Sequence, residues 1–457
     1  MKKRLEINPF YWTALKLALP ITLQQIVTSS SSIVDNLMVS VLGTKSIGAV
    51  GAVGKFLQIY IFAVYGVSSA GASFITQFWA RKDEKGIQRI MGATLFCNLL
   101  MAIFFTWVSI FNKDRIVSMF TEDVEIQKMA TNYLFVISFS YIFHAISFTY
   151  SFALRSIKKA SLSLYIIVLS QSLNVFLNYV LISGKVGFPA MGVGGAALAS
   201  VLAKVVEMFA LLFFVYRGEY PIAGSLKSMF DFPSSFFNRF IQIALPLTLN
   251  EILWSAGLAA YQVFFGKMGA DAMAAYSMVA PFEQFFITAF IGLSSAALVM
   301  VGEQLGNDDK DTAYAYALKF YNLSVGMALL IGGIVALFSH KIILIYSYMG
   351  EGKVGENTLM YGVHFLRILG IFLFVRIYNL ISYAGILKSG GDSLFLFISE
   401  TGSLWLVGVP LAYLASNVFN MEPQFVYLAL YFEEGLKAIF IGRRFISKKW
   451  IRNLIDV

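Results

Sequence analysis

Cysteine is nearly absent from these 457 residues: Cys97 stands alone, which excludes an intramolecular disulfide and any multi-cysteine metal or iron–sulfur centre. Three histidines, His144, His340 and His364, are too few for a histidine-rich metal site. Charge is also scarce. Only 13% of residues are Asp, Glu, Lys or Arg, about half of the usual ~25% in soluble domains. What fills the chain instead is apolar, 58% by count, with 16% aromatic. A transmembrane helix takes about 20 apolar residues, so a dozen spans consume nearly the whole length and leave no room for a soluble domain. The chain therefore reads as a polytopic membrane protein. A nucleotide-binding Gly-x-x-x-x-Gly-Lys-[Ser/Thr] loop is missing, as are Gly-x-Ser-x-Gly and His-Glu-x-x-His. ATP-driven pumping and intramembrane hydrolysis are thereby disfavoured, and no enzyme activity is expected.

Apolar runs bounded by charged or Gly/Pro-containing breaks predict spans near 15–42, 49–79, 90–111, 128–153, 162–184, 192–216, 241–267, 274–302, 313–338, 360–386, 393–416 and 424–446. Lys2, Lys3 and Arg4 lead into the first of these without a small-residue cleavage site, so this start reads as a span and not as a cleaved signal. With twelve spans, the side holding both termini carries 22 lysines and arginines and the opposite side 8. The positive-inside rule then places both termini in the cytoplasm of a plasma (inner) membrane protein. Orientation alone accounts for the net charge of +9, so nucleic acid is not an expected partner.

Half the chain repeats the other half. Ala18-Leu19-Pro20-Ile21-Thr22-Leu23 returns as Ala244-Leu245-Pro246-Leu247-Thr248-Leu249, an offset of 226 residues, and Gly43, Phe56, Gln58, Gly66 and Ser68-Ser69-Ala70 keep that register. The expected fold is all-α, with twelve transmembrane helices in two six-helix lobes related by an internal pseudo-twofold repeat. The N-lobe takes 1–216, a linker rich in Pro, Gly and Ser takes 217–240, and the C-lobe takes 241–457. A repeat of this kind is a transporter architecture working by alternating access. Since one chain holds both lobes, a functional monomer is expected.

A charge at the centre of a membrane helix costs at least ~2.5–3.5 kcal/mol, so embedded ionisable groups are candidate functional sites. Asp35 lies 15 residues beyond Pro20, in the outer half of span one, with no basic residue within one turn, so it could take up and release a proton or stay bonded to neighbours such as Asn178. Asn174 and Asn178 are four apart and share a helical face, and Gln25, Ser29 and Ser32 give span one a polar stripe, so these residues could line an N-lobe cavity or simply bond helices together. In the second half, Glu283, Gln284, Arg376 and Glu400 form the expected polar network, with Arg376 and Glu400 the candidate ion pair, while Glu251, closer to the midplane, could bind Na⁺, a proton or a cationic substrate or be structurally paired. Lys204 and Glu207 are expected to pair or to reach toward the interface.

The Leu-Pro openings of spans one and seven, Asp35 followed by Leu42-Gly43, the run Asn174-Val175-Phe176-Leu177-Asn178 into Gly184-Lys185-Val186-Gly187-Phe188-Pro189-Ala190-Met191-Gly192, and the pair Ala153-Leu154-Arg155-Ser156 and Ile386-Leu387-Lys388-Ser389-Gly390-Gly391-Asp392 together resemble the multidrug and toxic compound extrusion (MATE) family. That family belongs to a superfamily that also holds lipid-linked oligosaccharide flippases. The DinF-like branch usually has aspartate in the place of Asn178, whereas Glu251 is similar in kind to a carboxylate of sodium-coupled NorM-like members. The resemblance implies an antiporter that exports amphiphilic, often cationic organic compounds in exchange for H⁺ or Na⁺. Asp35 and Glu251 would be the coupling carboxylates, any Na⁺ would sit near one of them, and membrane lipids would be the surroundings; no cofactor is implied. The alternative is a flippase or exporter of a lipid-linked or other specific metabolite, which would favour a strongly cationic cavity.

Overall fold

The computed structural model describes residues 9–349 and 355–455, apart from the side chains of 346–349; Lys2, Lys3 and Arg4 lie outside it. The protein is all-α, with no strand among the described residues. There, twelve long helical segments follow one another: α1 (Pro9–Ser40), α2 (Thr44–Ala80), α3 (Glu84–Phe111), α4 (Val124–Ser138 and Ser140–Ser156), α5 (Ala160–Ser183), α6 (Gly192–Arg217), α7 (Ser234–Lys267), α8 (Ala270–Gly306), α9 (Lys310–Met349), α10 (Glu356–Ser389), α11 (Ser393–Val418) and α12 (Pro423–Ile446). Ten of them are long and apolar enough to cross a membrane by themselves, and α4 makes an eleventh as one span bent by 49°. Neither Pro nor Gly causes that bend. Ser138 and Ser140 each turn a hydroxyl back onto the preceding turn, to Phe135 O at 2.7 Å and Ile137 O at 2.6 Å, and Thr106 of α3 captures Ser138 O at 3.1 Å. The twelfth helix, α12, carries Glu433, Glu434, Lys437, Arg443 and Arg444, which make it too charged to span alone.

The repeat predicted at an offset of 226 is visible in the backbone. Gly43 and Gly269 precede α2 and α8 with φ of 99° and 118°, a left-handed conformation that favours glycine. Asp83 accepts from Gly86 N at 2.9 Å to cap α3, and Asp309 accepts from Thr312 N at 3.0 Å to cap α9. Gly66 of α2 packs so tightly on Thr248 of α7 that an added Cβ would strike the Thr248 backbone; Gly292 of α8 meets Ala18 and Thr22 of α1 in the same way.

Those two contacts explain how the chain divides into two compact units, Leu23–Thr248 and Met1–Thr22 with Leu249–Val457. The boundaries of these units fall inside α1 and α7, just after Pro20 and Pro246. The first turns of α1 pack on α8 and α9, where the Phe10 ring meets those of Tyr316 and Phe320 at steep angles, 5.0 Å between centres in each case. The first turns of α7 pack on α2, with Phe240 near Phe74 at 6.2 Å. Residues 217–240 are themselves packed on α3: Met229 is buried, its carbonyl closes over Gly92, and Arg89 pairs with Asp231 at 3.3 Å.

Gly66→Ala and Gly292→Ala should each lower stability by about 1–3 kcal/mol through overpacking, whereas Gly54→Ala, whose new methyl meets nothing within 4 Å, should stay near wild type. Melting temperatures of the purified variants check this.

Candidate functional site

In the Leu23–Thr248 unit, the buried face of α5 presents Ser163, Ser170, Asn174 and Asn178 at helical spacing. Each meets a polar partner. Asn178 Nδ2 donates to Asp35 Oδ1 at 2.7 Å. Asn174 stands 3.2 Å from Asn178 Nδ2 and, with its amide nitrogen turned to the carboxylate, 2.8 Å from the same Asp35 oxygen. Ser170 Oγ donates to Glu207 Oε2 at 3.0 Å, and Lys204 completes that pair at 2.7 Å. Ser163 Oγ accepts from Gln24 Nε2 at 3.2 Å. Asp35 thus receives amide donors, and no base pairs with it among the described residues. Gln25 is half-buried; its neighbour Gln24 makes the interhelical bond, and Ser31, not Ser29 or Ser32, reaches Gln171 at 2.7 Å. The inward stripe of α1 is therefore Gln24, Ser31 and Asp35, one position off the stripe read from composition, because only the tertiary fold sets the helix's rotation.

The unit that contains Leu249–Val457 holds a larger network, which begins at Asn250 and Glu251 of α7. Glu251 Oε1 accepts from Tyr383 Oη at 2.8 Å and lies 4.0 Å from Lys388 Nζ. Asn250 donates to Tyr383 Oη and to Glu400 Oε2, both at 2.9 Å, and accepts from Thr401 at 2.8 Å. Lys437 of α12 gathers Glu433 at 3.0 Å, Glu434 at 3.3 Å and Glu400 at 3.7 Å. Asn379 donates to Glu434 Oε2 at 2.5 Å. Around Tyr383, α10 widens into a π-helical stretch, Ser382–Ile386, a distortion often found where a helix must re-aim a side chain.

Arg376 pairs with Glu283, not with Glu400 as expected from span position. Depth decides the matter. α10 and α11 are antiparallel and joined at Gly390–Asp392, so Arg376 lies about 22 Å from the turn and Glu400 only about 13 Å. Gln284 stays on its own helix, donating to Thr288 at 3.4 Å. A cavity beside these groups is walled by Trp254, Tyr261, Tyr276, Tyr427 and Tyr431, with Glu283, Glu433 and Glu434 against Arg376 and Lys437.

Sequence reasoning missed Lys388, Asn250, Tyr383, Asn379 and Thr401 of this network. Lys388 reads as a loop base beside Ser-Gly-Gly-Asp, yet it is 1% exposed, turned inward with its ammonium 4.5 Å from the Tyr383 ring centre. Asn250 and Tyr383 carry no charge to flag them; adjacency to Glu251 was the available signal for Asn250, and nothing marked Tyr383.

Because Arg376 and Glu283 are both largely withdrawn from water, Arg376→Leu should cost about 3–5 kcal/mol by stranding Glu283, and adding Glu283→Leu should recover most of it. Detergent melting curves of the single and double variants provide the check.

The MatE family profile matches residues 20–180 and 246–414, one block in each half. The uncharacterized transporter YisQ of Bacillus subtilis is 22% identical over 92% of this chain and 90% of its own length. The probable multidrug resistance protein YoeA of the same organism is 23% identical over 98% of this chain and 97% of its own. Among solved structures, a MOP superfamily transporter from Pyrococcus furiosus superposes with a TM-score of 0.85 at 18% identity over 96% of both chains, a likeness of fold. With the profile matched across both halves of a twelve-helix repeat, the chain belongs to the MatE family, whose members are membrane transporters and not enzymes.

Proposed function

We propose that this transporter is a secondary multidrug antiporter, exporting amphiphilic and often cationic organic compounds in exchange for protons by alternating access. The observation that carries the reading is Asp35, a carboxylate in a membrane helix met by amide donors from Asn178 and Asn174 and, among the described residues, by no base. Such a group is neutralised by taking up a cation, and the surroundings favour H⁺ over Na⁺. A hard metal cation requires several oxygen ligands, whereas the donor seated on Asp35 Oδ1 is the Asn178 amide nitrogen at 2.7 Å. At Glu251 the place of a cation is shared with Lys388, 4.0 Å away.

The second unit supports the choice of substrate. Its ion pairs link five carboxylates, Glu251, Glu283, Glu400, Glu433 and Glu434, to three bases, Arg376, Lys388 and Lys437. The surplus negative charge can be met by protons or by a cationic substrate, and competition between the two is what an antiporter needs. The name of the relative YoeA, a probable multidrug resistance protein, is in keeping with this reading. Further parts of the proposal are residence in the inner membrane with both termini cytoplasmic, function as a monomer, lobes divided near 217–240, and independence of any bound cofactor.

A proton gradient imposed on proteoliposomes should drive accumulation of a fluorescent organic cation, and a Na⁺ gradient alone should not. Asp35→Asn should reduce the driven flux at least about tenfold while the purified variant keeps its melting temperature. Flux that follows Na⁺, or that is unchanged in Asp35→Asn, would overturn the coupling scheme.

A further inference from the structure

The second half of α4 carries Ser147, Ser151 and Arg155 four residues apart, on one helical face about 12 Å long. All three are buried, at 0%, 2% and 8% exposure. Ser147 Oγ, Ser151 Oγ and Arg155 Nε each lack a hydrogen-bond partner, and no carboxylate pairs with Arg155 among the described residues. Two neighbouring hydroxyls of the helix bond back onto their own turns, Thr149 to Ala145 O at 2.8 Å and Ser156 to Phe152 O at 3.1 Å, whereas Tyr141 Oη, one turn further back on another face, lacks a partner as well. Only the 147–151–155 face adds a base to the unpaired hydroxyls. Native proteins leave few buried polar groups unpaired, and a guanidinium is the costliest to leave so.

A similar motif in the second half has a counter-charge. Ala153-Leu154-Arg155-Ser156 resembles Ile386-Leu387-Lys388-Ser389, at an offset of 233 residues, and Lys388 faces Glu251 at 4.0 Å. At the offset of 226, the first-half counterpart of Glu251 is Gln25. Arg155 is thus a base retained without its acid. Beside it runs a row of rings. Arg155 Cζ lies 4.8 Å from the Phe152 ring centre, Phe152 packs on Phe148 at 4.9 Å and on Tyr65 at 5.5 Å, and Phe148 packs on His144 at 5.1 Å.

We propose that Arg155, Ser151 and Ser147 form a binding site for the anionic head of an amphiphile. The guanidinium takes a carboxylate, sulfonate or phosphate through two parallel N–H bonds, the serine hydroxyls donate to further oxygens, and the apolar body lies along Phe152 and Phe148. The same chemistry is offered by an anionic phospholipid of the bilayer and by an organic anion that the protein carries. The site does not depend on cation exchange at Asp35.

The test is a thermal-shift titration of the purified full-length chain in detergent. One arm uses pyrenesulfonate with uncharged pyrenemethanol as control; the other uses short-chain phosphatidylglycerol with short-chain phosphatidylcholine as control. We expect one of the anions, and neither control, to raise the wild-type melting temperature by several degrees, and the arm that responds names the source. Arg155→Met should weaken that anion at least about tenfold, Arg155→Lys and Ser151→Val less. Without ligand, Arg155→Met should melt no lower than wild type, because an uncompensated buried base is gone. No response to either anion, a response undiminished in Arg155→Met, or a ligand-free Arg155→Met that melts well below wild type and is restored by Arg155→Lys would overturn the proposal. If Arg155→Met does not fold at all, Arg155→Lys and Ser151→Val decide the matter: weakened anion binding in both supports the site, and undiminished binding in both overturns it.

Discussion

Charge held in a low-dielectric slab must find an opposite charge or a strong donor within a few ångströms, and that constraint orders most of this transporter's interior. α12 is the plainest case. Its Glu433, Glu434 and Lys437 would forbid insertion of an isolated helix, yet within the fold they bind one another and reach Glu400 of α11. The network fixes α12 against its neighbours at a single rotation, so the charges that weaken it as a lone span specify it as part of a unit. Arg376 and Glu283 do the same between α10 and α8.

The two halves share a backbone but not this electrostatic solution. Glycine placement, helix caps and close helix contacts recur at the same offset, as Gly43 with Gly269, Asp83 with Asp309 and Gly66 with Gly292 show. Polar side chains diverge at equivalent sites: Gln24 and Gln25 stand where the second half has Asn250 and Glu251. One unit is consequently built around a single amide-bound carboxylate, the other around a connected acid–base network. Backbone geometry is held by sterics that tolerate no substitution at a close contact, whereas a charged group needs only some counter-charge, so its position is free to change.

The fold was legible because membrane insertion writes itself into the sequence as long apolar runs, and the repeat of Pro20 and Pro246 set the register of the two halves. Asp35 with Asn178 and Asn174 was legible too, since helical spacing places both amides on one face. Partner choice in the second half was not. Whether Arg376 meets Glu283 or Glu400 depends on depth along packed helices, and whether α1 turns Gln24 or Gln25 inward depends on about 100° of rotation that apolar periodicity does not define in a helix with apolar residues on every side. Lys388 escaped for a related reason: a lysine next to Ser-Gly-Gly-Asp looks like a loop residue until the helix is seen to run through it.

In the proposed mechanism, protons and a cationic substrate compete for the same interior negative charge. Calorimetric binding of tetraphenylphosphonium to the purified chain, in two buffers of different ionisation heat, counts the protons that leave as the cation arrives. Competition predicts net proton release that is smaller in Glu400→Gln; binding with no proton release would contradict it.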